Sequence, residues 1–371
     1  MERQGERRRK RSWKLLTRLT MDMMFEAYAH EPVGFLQGDS PRSKEPHWIL
    51  GKKHLPQNEE ALKRDIISRL WFSYRKGFVQ IGDSGLTSDK GWGCMLRCGQ
   101  MLMAQALLYL HLGRDWSWTP AVRDPKYVKI VSMFEDRRSA PYSIHQIALM
   151  GAVEGKAVGD WFGPNTVAQA LKKLSASDQW SNMAVHVSLD NLIVVNEIRR
   201  LCRSGHSAAT ARKWKPLLLI VPVRLGINEI NPVYVKSIQS VFMFRQSVGI
   251  IGGKPNHALY FIGCVGDEMI YLDPHTTQPF VPIGSKSNEQ ERKADCSYHC
   301  SHARALPVLQ MDPSVALGFF CSTELDFEGL LENMREFLMK EQQPLLEVSE
   351  DRPAPVSHVT QEGFDDDFVV V

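Results

Sequence analysis

The sequence predicts an α+β protein in which helices come first, then an antiparallel sheet, then a last helix and an acidic tail. Three observations lead there. Residues 95–110 form a strongly apolar run with helical spacing, long enough to lie in a core. Strand signals gather in the second half, at 217–223, 259–265 and 268–273, and the last two flank Gly266-Asp267 as a hairpin would. Finally Phe327, Leu330, Leu331, Met334, Phe337 and Leu338 recur every three or four positions, the stripe of an amphipathic helix.

The 371 residues leave room for one large domain or two ordinary ones. With 43% hydrophobic and 23% charged residues the composition is that of an average globular protein. No apolar run approaches the roughly 18 residues of a membrane span. Charge is unevenly spread. Residues 1–20 carry eight Lys/Arg against Glu2 and Glu6, a net +6, so the rest of the chain sums to −3 and is not a nucleic-acid binder by charge. The basic start has no apolar stretch or small-residue cleavage site after it and so does not read as a signal peptide. Seven widely scattered cysteines, an odd number, favour a reducing compartment and a cytoplasmic protein over a disulfide framework.

Residues 1–44 end in a polar stretch and are expected to be a mobile extension. Residues 58–71 predict a helix with Leu62, Ile66 and Leu70 on one face. Residues 166–174 predict another, with Asn165 as its cap. Leu217 onward is a continuous apolar run behind Pro216, consistent with a buried strand. Asp326 is placed to cap the last helix. Residues 341–371 hold eight Asp/Glu and one Arg and are expected to be disordered.

Gly91-Trp92-Gly93-Cys94 runs straight into the helix expected from Met95. A thiol there meets the positive end of the helix dipole and unpaired backbone N–H groups, both of which favour thiolate. Its own N–H is placed to help hold an oxyanion. Cys98, one turn deeper, lies where the dipole effect has faded and reads as a small hydrophobe. Among the histidines His275 stands out, in Leu272-Asp273-Pro274-His275-Thr276. Pro274 pushes Asp273 into an extended conformation, which would put 273 and 275 on one face about 6.6 Å apart. A carboxylate there can fix the imidazole tautomer and support an imidazolium beside a thiolate; a solvated Asp and His at a strand end is the plainer reading. His145 reads as a helical packing residue, His111 as a helix end, and His257 as part of a loop after Pro255-Asn256. Cys296, His299, Cys300 and His302 cluster, but Cys-x3-Cys lacks a second ligand pair, so no metal is expected; a redox-sensitive thiol pair is as good an account.

Four motifs carry a family resemblance. Residues 88–100 (Ser88-Asp89-Lys90-Gly91-Trp92-Gly93-Cys94 through Gln100), Trp161-Phe162-Gly163-Pro164-Asn165-Thr166, Gly252-Gly253-Lys254-Pro255-Asn256 and Tyr271 through Pro279 occur in the order found in the autophagins. The chain thus resembles this family of papain-like cysteine proteases over about residues 47–340. The resemblance implies a papain-like fold with a small auxiliary subdomain, within a protease domain at 45–340. It also implies that Cys94 is the nucleophile, with Asp273 and His275 its partners and no cofactor. Tyr74 would donate to the oxyanion and Trp161 would cover the nucleophile. Pro255 and Asn256 would belong to a lid with Gly252-Gly253 as its hinge. The sequence departs from the family pattern at Asn256-His257-Ala258-Leu259, where a small residue and a later histidine are expected.

The same resemblance implies cleavage of autophagosomal ubiquitin-like modifiers, of the light chain 3 and GABA-receptor-associated types, after a C-terminal glycine. It further implies their removal from phosphatidylethanolamine, hence a peripheral encounter with membranes. The last residues, Asp365 to Val371, resemble a modifier-interaction motif with Phe368 and Val371 as anchors, able to add a strand to a sheet edge. A thiol acyltransferase or amidase with the same Cys-His-Asp set, and a binding protein without catalysis, are the competing classes.

Overall fold

The computed structural model describes residues 44–120, 124–203, 214–283, 294–301, 303–340 and 343–353. The described chain opens with a small hairpin, β1 (His47–Ile49) and β2 (Lys52–His54), followed by α1 (Glu59–Ile67). Leu62, Ile66 and Leu70 are all buried as their spacing implies. The helix stops at Ile67, however, because Leu70 leaves to bridge His299. After β3 (Arg75–Lys76) comes α2 (Cys94–Leu112), predominantly apolar and buried on all sides through Tyr109.

Short helices α3 (Pro125–Ser132) and α4 (Ile144–Met150) follow. Asp124 and Ser143 cap them by accepting from the backbone N–H of Lys126 and Gln146. The next helix, α5 (Pro164–Ser175), begins with proline at a position where no N–H is needed. Its cap position is Gly163, and Asn165 lies in the first turn, so the expected asparagine cap is corrected.

The second half builds the sheet. β4 (Ala184–Val187), β5 (Leu192–Val194) and α6 (Val195–Arg203) precede β6 (Leu217–Arg224); then come α7 (Val235–Val241), β7 (Ser247–Lys254), β8 (His257–Val265), β9 (Glu268–Leu272), β10 (Gln278–Pro279), β11 (Arg304–Pro307) and β12 (Ser314–Cys321). The main sheet runs β11-β9-β8-β7-β12-β6-β4, with β1 also paired to β8. β8 and β9 form the hairpin read from the sequence. The expectation of a purely antiparallel sheet fails at one edge, where β4 lies parallel to β6. Helix α2 packs across β7, β8 and β12. It can approach closely because β12 carries Gly318: a Cβ there would sit 2.9 Å from Leu102 of the helix and 2.8 Å from Val248 of β7.

The last helix, α8 (Glu324–Phe337), buries Phe327, Leu330, Leu331 and Met334, and Leu338 just beyond it, but leaves Phe337 exposed. Thr323, not Asp326, is its cap and accepts from the Asp326 N–H at 3.1 Å. Order continues past the expected boundary at 341. β13 (Glu347–Ser349) pairs parallel to β5, and Arg199 and Arg352 hold Glu350 and Glu197 beside it. Among the described residues no helix is long and apolar enough to cross a membrane.

Candidate active site

The turn before α2 is folded around Asp89. Its backbone carbonyl accepts from Trp92 and Gly93, and its carboxylate takes the Arg75 N–H at 2.6 Å and Arg97 Nε at 2.8 Å. Arg97 then reaches Asp136 at 2.8 Å, so a fully buried guanidinium is paired on both sides, as buried charges must be. Gly93 has no alternative: a Cβ would lie 2.5 Å from the Asp89 carboxylate. The result is that Cys94, one residue earlier than the sequence suggested, is the first residue of the helix, with only 1% of its surface exposed.

Burial on its own would push the Cys94 thiol up. Hydrogen bonds from His275, Trp161, the Ala258 backbone N–H and Tyr74 outweigh it and hold the thiol below its ordinary value. The Trp161 indole N–H donates to Sγ at 3.0 Å while its ring stays 40% exposed. The Tyr74 hydroxyl is pushed up, first by burial and then by Cys94, so it stays protonated and able to donate.

His275 is carried by the segment after β9. The expected extended arrangement of 273 and 275 is replaced by a turn. Asp273 folds back, and its Oδ1 accepts both from the His275 backbone N–H at 3.0 Å and from the ring Nδ1 at 2.6 Å. The turn is pinned on both sides. Trp71 Nε1 donates to the Asp273 carbonyl at 2.8 Å, the Tyr74 N–H donates to the Pro274 carbonyl at 2.8 Å, and Gln278 closes on the Tyr74 carbonyl at 2.9 Å as β3 and β10 pair. Burial lowers the basicity of His275, but Asp273 and Cys94 more than reverse it and push the imidazole up to about 9. Asp273 is held low, burial being overcome by its bonds to His275.

The structure therefore brings Cys94, His275, Asp273, Tyr74 and Trp161 together from four separate segments, Asp273 and His275 sharing one turn. Pro255 and Asn256 form the exposed two-residue turn between β7 and β8, with Asn256 at φ 61°. Gly252 and Gly253 lie inside the β7–β8 ladder opposite Leu259 and Ala258. Phe368 and Val371 lie outside the described residues, as does His302.

Two groups escaped the sequence reading. His257 is no loop residue but the first of β8, and its ring stacks on His275 with centroids 3.5 Å apart and planes 10° from parallel. Ala258 supplies the backbone donor to Cys94. A Pro-Asn dipeptide between apolar runs is a two-residue turn signal that would have set His257 opposite Lys254 at the head of a strand.

Elsewhere the plainer readings hold. Cys98 is fully buried and its thiol is pushed well up by burial, Cys94 and Asp273. Both ring nitrogens of His299 are engaged, Nδ1 with the Ile67 carbonyl at 2.7 Å and Nε2 with the Tyr127 hydroxyl at 2.7 Å. His145 bonds the Val79 carbonyl at 2.5 Å. Among the described residues the only group of three or more that brings ligand atoms within 4.8 Å of one another is His257, Asp273 and His275. The two rings are stacked, so their in-plane nitrogen lone pairs run in nearly parallel planes.

A thiol borne by a buried helix on one side and an imidazole borne by the sheet on the other is the division of labour of papain-like cysteine proteases, and the fold is of that class. Comparison with known proteins narrows it. The peptidase C54 catalytic domain matches residues 59–333. Cysteine protease ATG4B of Gallus gallus is 46% identical over 358 residues, covering 89% of this chain and 90% of that protein. Cysteine protease ATG4A of Homo sapiens is 48% identical over 339 residues, covering 85% and 84%. The chain belongs to the peptidase C54 family, the autophagin cysteine proteases.

Proposed function

We propose that Cys94, His275 and Asp273 are the catalytic triad of a protease that cuts ubiquitin-like modifiers of autophagy after a C-terminal glycine. The observation that carries this reading is the convergence of His275, Trp161, Tyr74 and the Ala258 N–H on one buried sulfur, with Asp273 bonded to the far nitrogen of His275. The Cys94 thiolate attacks the glycyl carbonyl carbon, and its electrons move to the oxygen. Tyr74 and the Cys94 N–H hold that oxyanion. As the C–N bond breaks, the His275 imidazolium gives its proton to the leaving amine. Water, deprotonated by His275, then splits the thioester and frees the glycine carboxylate and the thiol.

A peptide amide and a phosphatidylethanolamide present the same glycyl carbonyl, so one site serves precursor processing and delipidation. Trp161 narrows the approach to Cys94 and selects glycine by excluding any side chain. Light chain 3 and GABA-receptor-associated modifiers are the expected partners, in the cytoplasm and on membranes. Phe368 and Val371 would add a second attachment that raises avidity without touching the chemistry.

Intact mass spectrometry of a purified modifier precursor, incubated with the protein and with Cys94→Ser, tests the reading. Loss of the residues beyond the terminal glycine only with Cys94 present is the expected outcome. Vesicles carrying lipid-conjugated modifier, assayed in the same way, test delipidation. A precursor left intact by the unaltered protein, under conditions where it binds, sinks the proposal.

A further inference from the structure

The β7–β8 turn delivers two neighbours to the reacting pair. Ala258 gives its N–H to Cys94, and His257 lays its ring flat on His275. In the resting pair the His275 imidazole is bonded to Asp273 through Nδ1 and to Cys94. Once the sulfur is engaged with an acyl group only the Asp273 bond remains, and the ring can pivot about it. A face contact removes the pivot. His257 covers one face at 3.5 Å, while the Tyr74 ring meets His275 edge-on, with centroids 5.3 Å apart and planes at 81°. His257 also points Nε2 at Asp273 Oδ2, 3.7 Å away, the oxygen that His275 leaves unused.

The geometry points to His257 as a positioning residue that holds the plane of the His275 ring while neutral and withdraws that support when it takes up a proton. This deepens the catalytic reading above and rests on it. The neutral ring offers its π face to the imidazolium of His275, an attractive contact. A protonated His257 repels that imidazolium and competes with it for Asp273. The charged groups around His257 are His275 and Asp273 on the segment after β9, Lys254 opposite it on β7, and Arg304 of β11, whose Nη1 lies 3.7 Å from Asp273 Oδ2. Burial, then His275, keep the His257 imidazole below its usual 6.5, with Lys254 acting in the same direction and Asp273 opposing. It is therefore neutral at neutral pH and charges only in acid, where it removes the support.

The test compares the full chain with His257→Ala and His257→Phe, the latter keeping a flat ring without a titrating nitrogen. Turnover of a modifier precursor and the rate of Cys94 alkylation by iodoacetamide, read by peptide mass spectrometry, are followed from about pH 5 to about pH 9. His257 is 41% exposed at its side chain, so equal melting temperatures are expected and serve as the folding control. The alanine variant should lose kcat about tenfold with KM within about twofold, and phenylalanine should recover most of that loss. In the phenylalanine variant the acid limb should become shallower in both assays, since one of the two protons has been removed. Variants that match the unaltered protein in both assays overturn the proposal and leave the catalytic reading standing. So does a phenylalanine variant that is as slow as alanine with its acid limb unchanged. If Cys94 of the unaltered protein alkylates no faster in acid than a free thiol, the catalytic reading itself fails.

Discussion

Cys94 and Cys98 stand four residues apart on one helix, and their thiols are driven in opposite directions. Both are buried, and burial pushes both up. Around Cys94 four donors, from residues 74, 161, 258 and 275, overcome that penalty. The neighbours acting on Cys98 are negative, Cys94 and Asp273, and add to it. The same contrast separates two stacked histidines. His299, stacked 3.8 Å from the Trp118 ring, is driven down to about 4 by burial, which the nearby Asp295 does not offset, whereas His275 is bonded to a carboxylate and a thiol and rises to about 9. The direction of each shift follows the charges and donors that converge on the group, and burial or an aromatic stack alone drives it the other way.

The comparison is broken most severely by removing the charge behind His275. Asp273→Asn keeps the size of the side chain but removes its charge and its second acceptor. We expect kcat/KM for precursor cleavage to fall on the order of 10²–10⁴-fold. Alkylation of Cys94 at neutral pH should slow in parallel, because the imidazolium partner is lost. A variant within a few-fold of the unaltered protein in both measurements would show that Asp273 is a structural group.

Tyr74→Phe removes one donor without disturbing the backbone bonds to Pro274 and Gln278 that position residue 74. Loss of an oxyanion donor costs about 10²–10³-fold in kcat. The fall should appear in kcat, with KM little altered, since the donor is needed most when charge develops on oxygen. An effect confined to KM would place Tyr74 in binding.

The pH profile sharpens the contrast without mutation. Thiolate and imidazolium coexist above the pKa of Cys94, which lies below its ordinary 9.0, and below about 9, where His275 gives up its proton. Falling pH protonates the sulfur, and rising pH removes the proton destined for the leaving amine. kcat/KM should therefore fall on both sides, with the alkaline limb near 9. In Asp273→Asn the alkaline limb should move toward lower pH. An alkaline limb that stays in place would mean that Asp273 does not set the basicity of His275.

Most of the fold was legible because its signals are local. The apolar run of α2, the strand run of β6 and the hairpin around Gly266-Asp267 depend on residues adjacent in sequence. The caps were misplaced for two reasons: at α8 Thr323 caps in place of Asp326, and at α5 Pro164 takes the first helical position and leaves Gly163 as a cap without a side-chain bond. The parallel pairing of β4 with β6, and of β13 with β5, joins segments far apart and left no local trace. The candidate site divides along the same line. Gly-Trp-Gly-Cys and Asp-Pro-His were visible, although the latter folds as a turn and not as an extended pair. His257 and Ala258 were not visible, because their role exists only once the β7–β8 turn is laid beside the helix start.

The smallest effect is expected one turn below the site, at Cys98. The side chain is small, fully buried and high in pKa, so it stays a neutral thiol across the working range. Cys98→Ala should leave kcat/KM within about twofold, because no reacting group is moved. Cys98→Ser places a hydroxyl in the same apolar space and should cost about 1–3 kcal/mol of stability if it finds no partner. Urea melts of the two variants, beside kcat/KM, separate the outcomes. Serine should be the less stable of the two, with activity near normal at temperatures where it is folded. If Cys98→Ala instead lost more than about tenfold in kcat/KM at unchanged stability, the second turn of α2 would belong to the reacting site. The four donors around Cys94 would then no longer account for the difference between the two thiols.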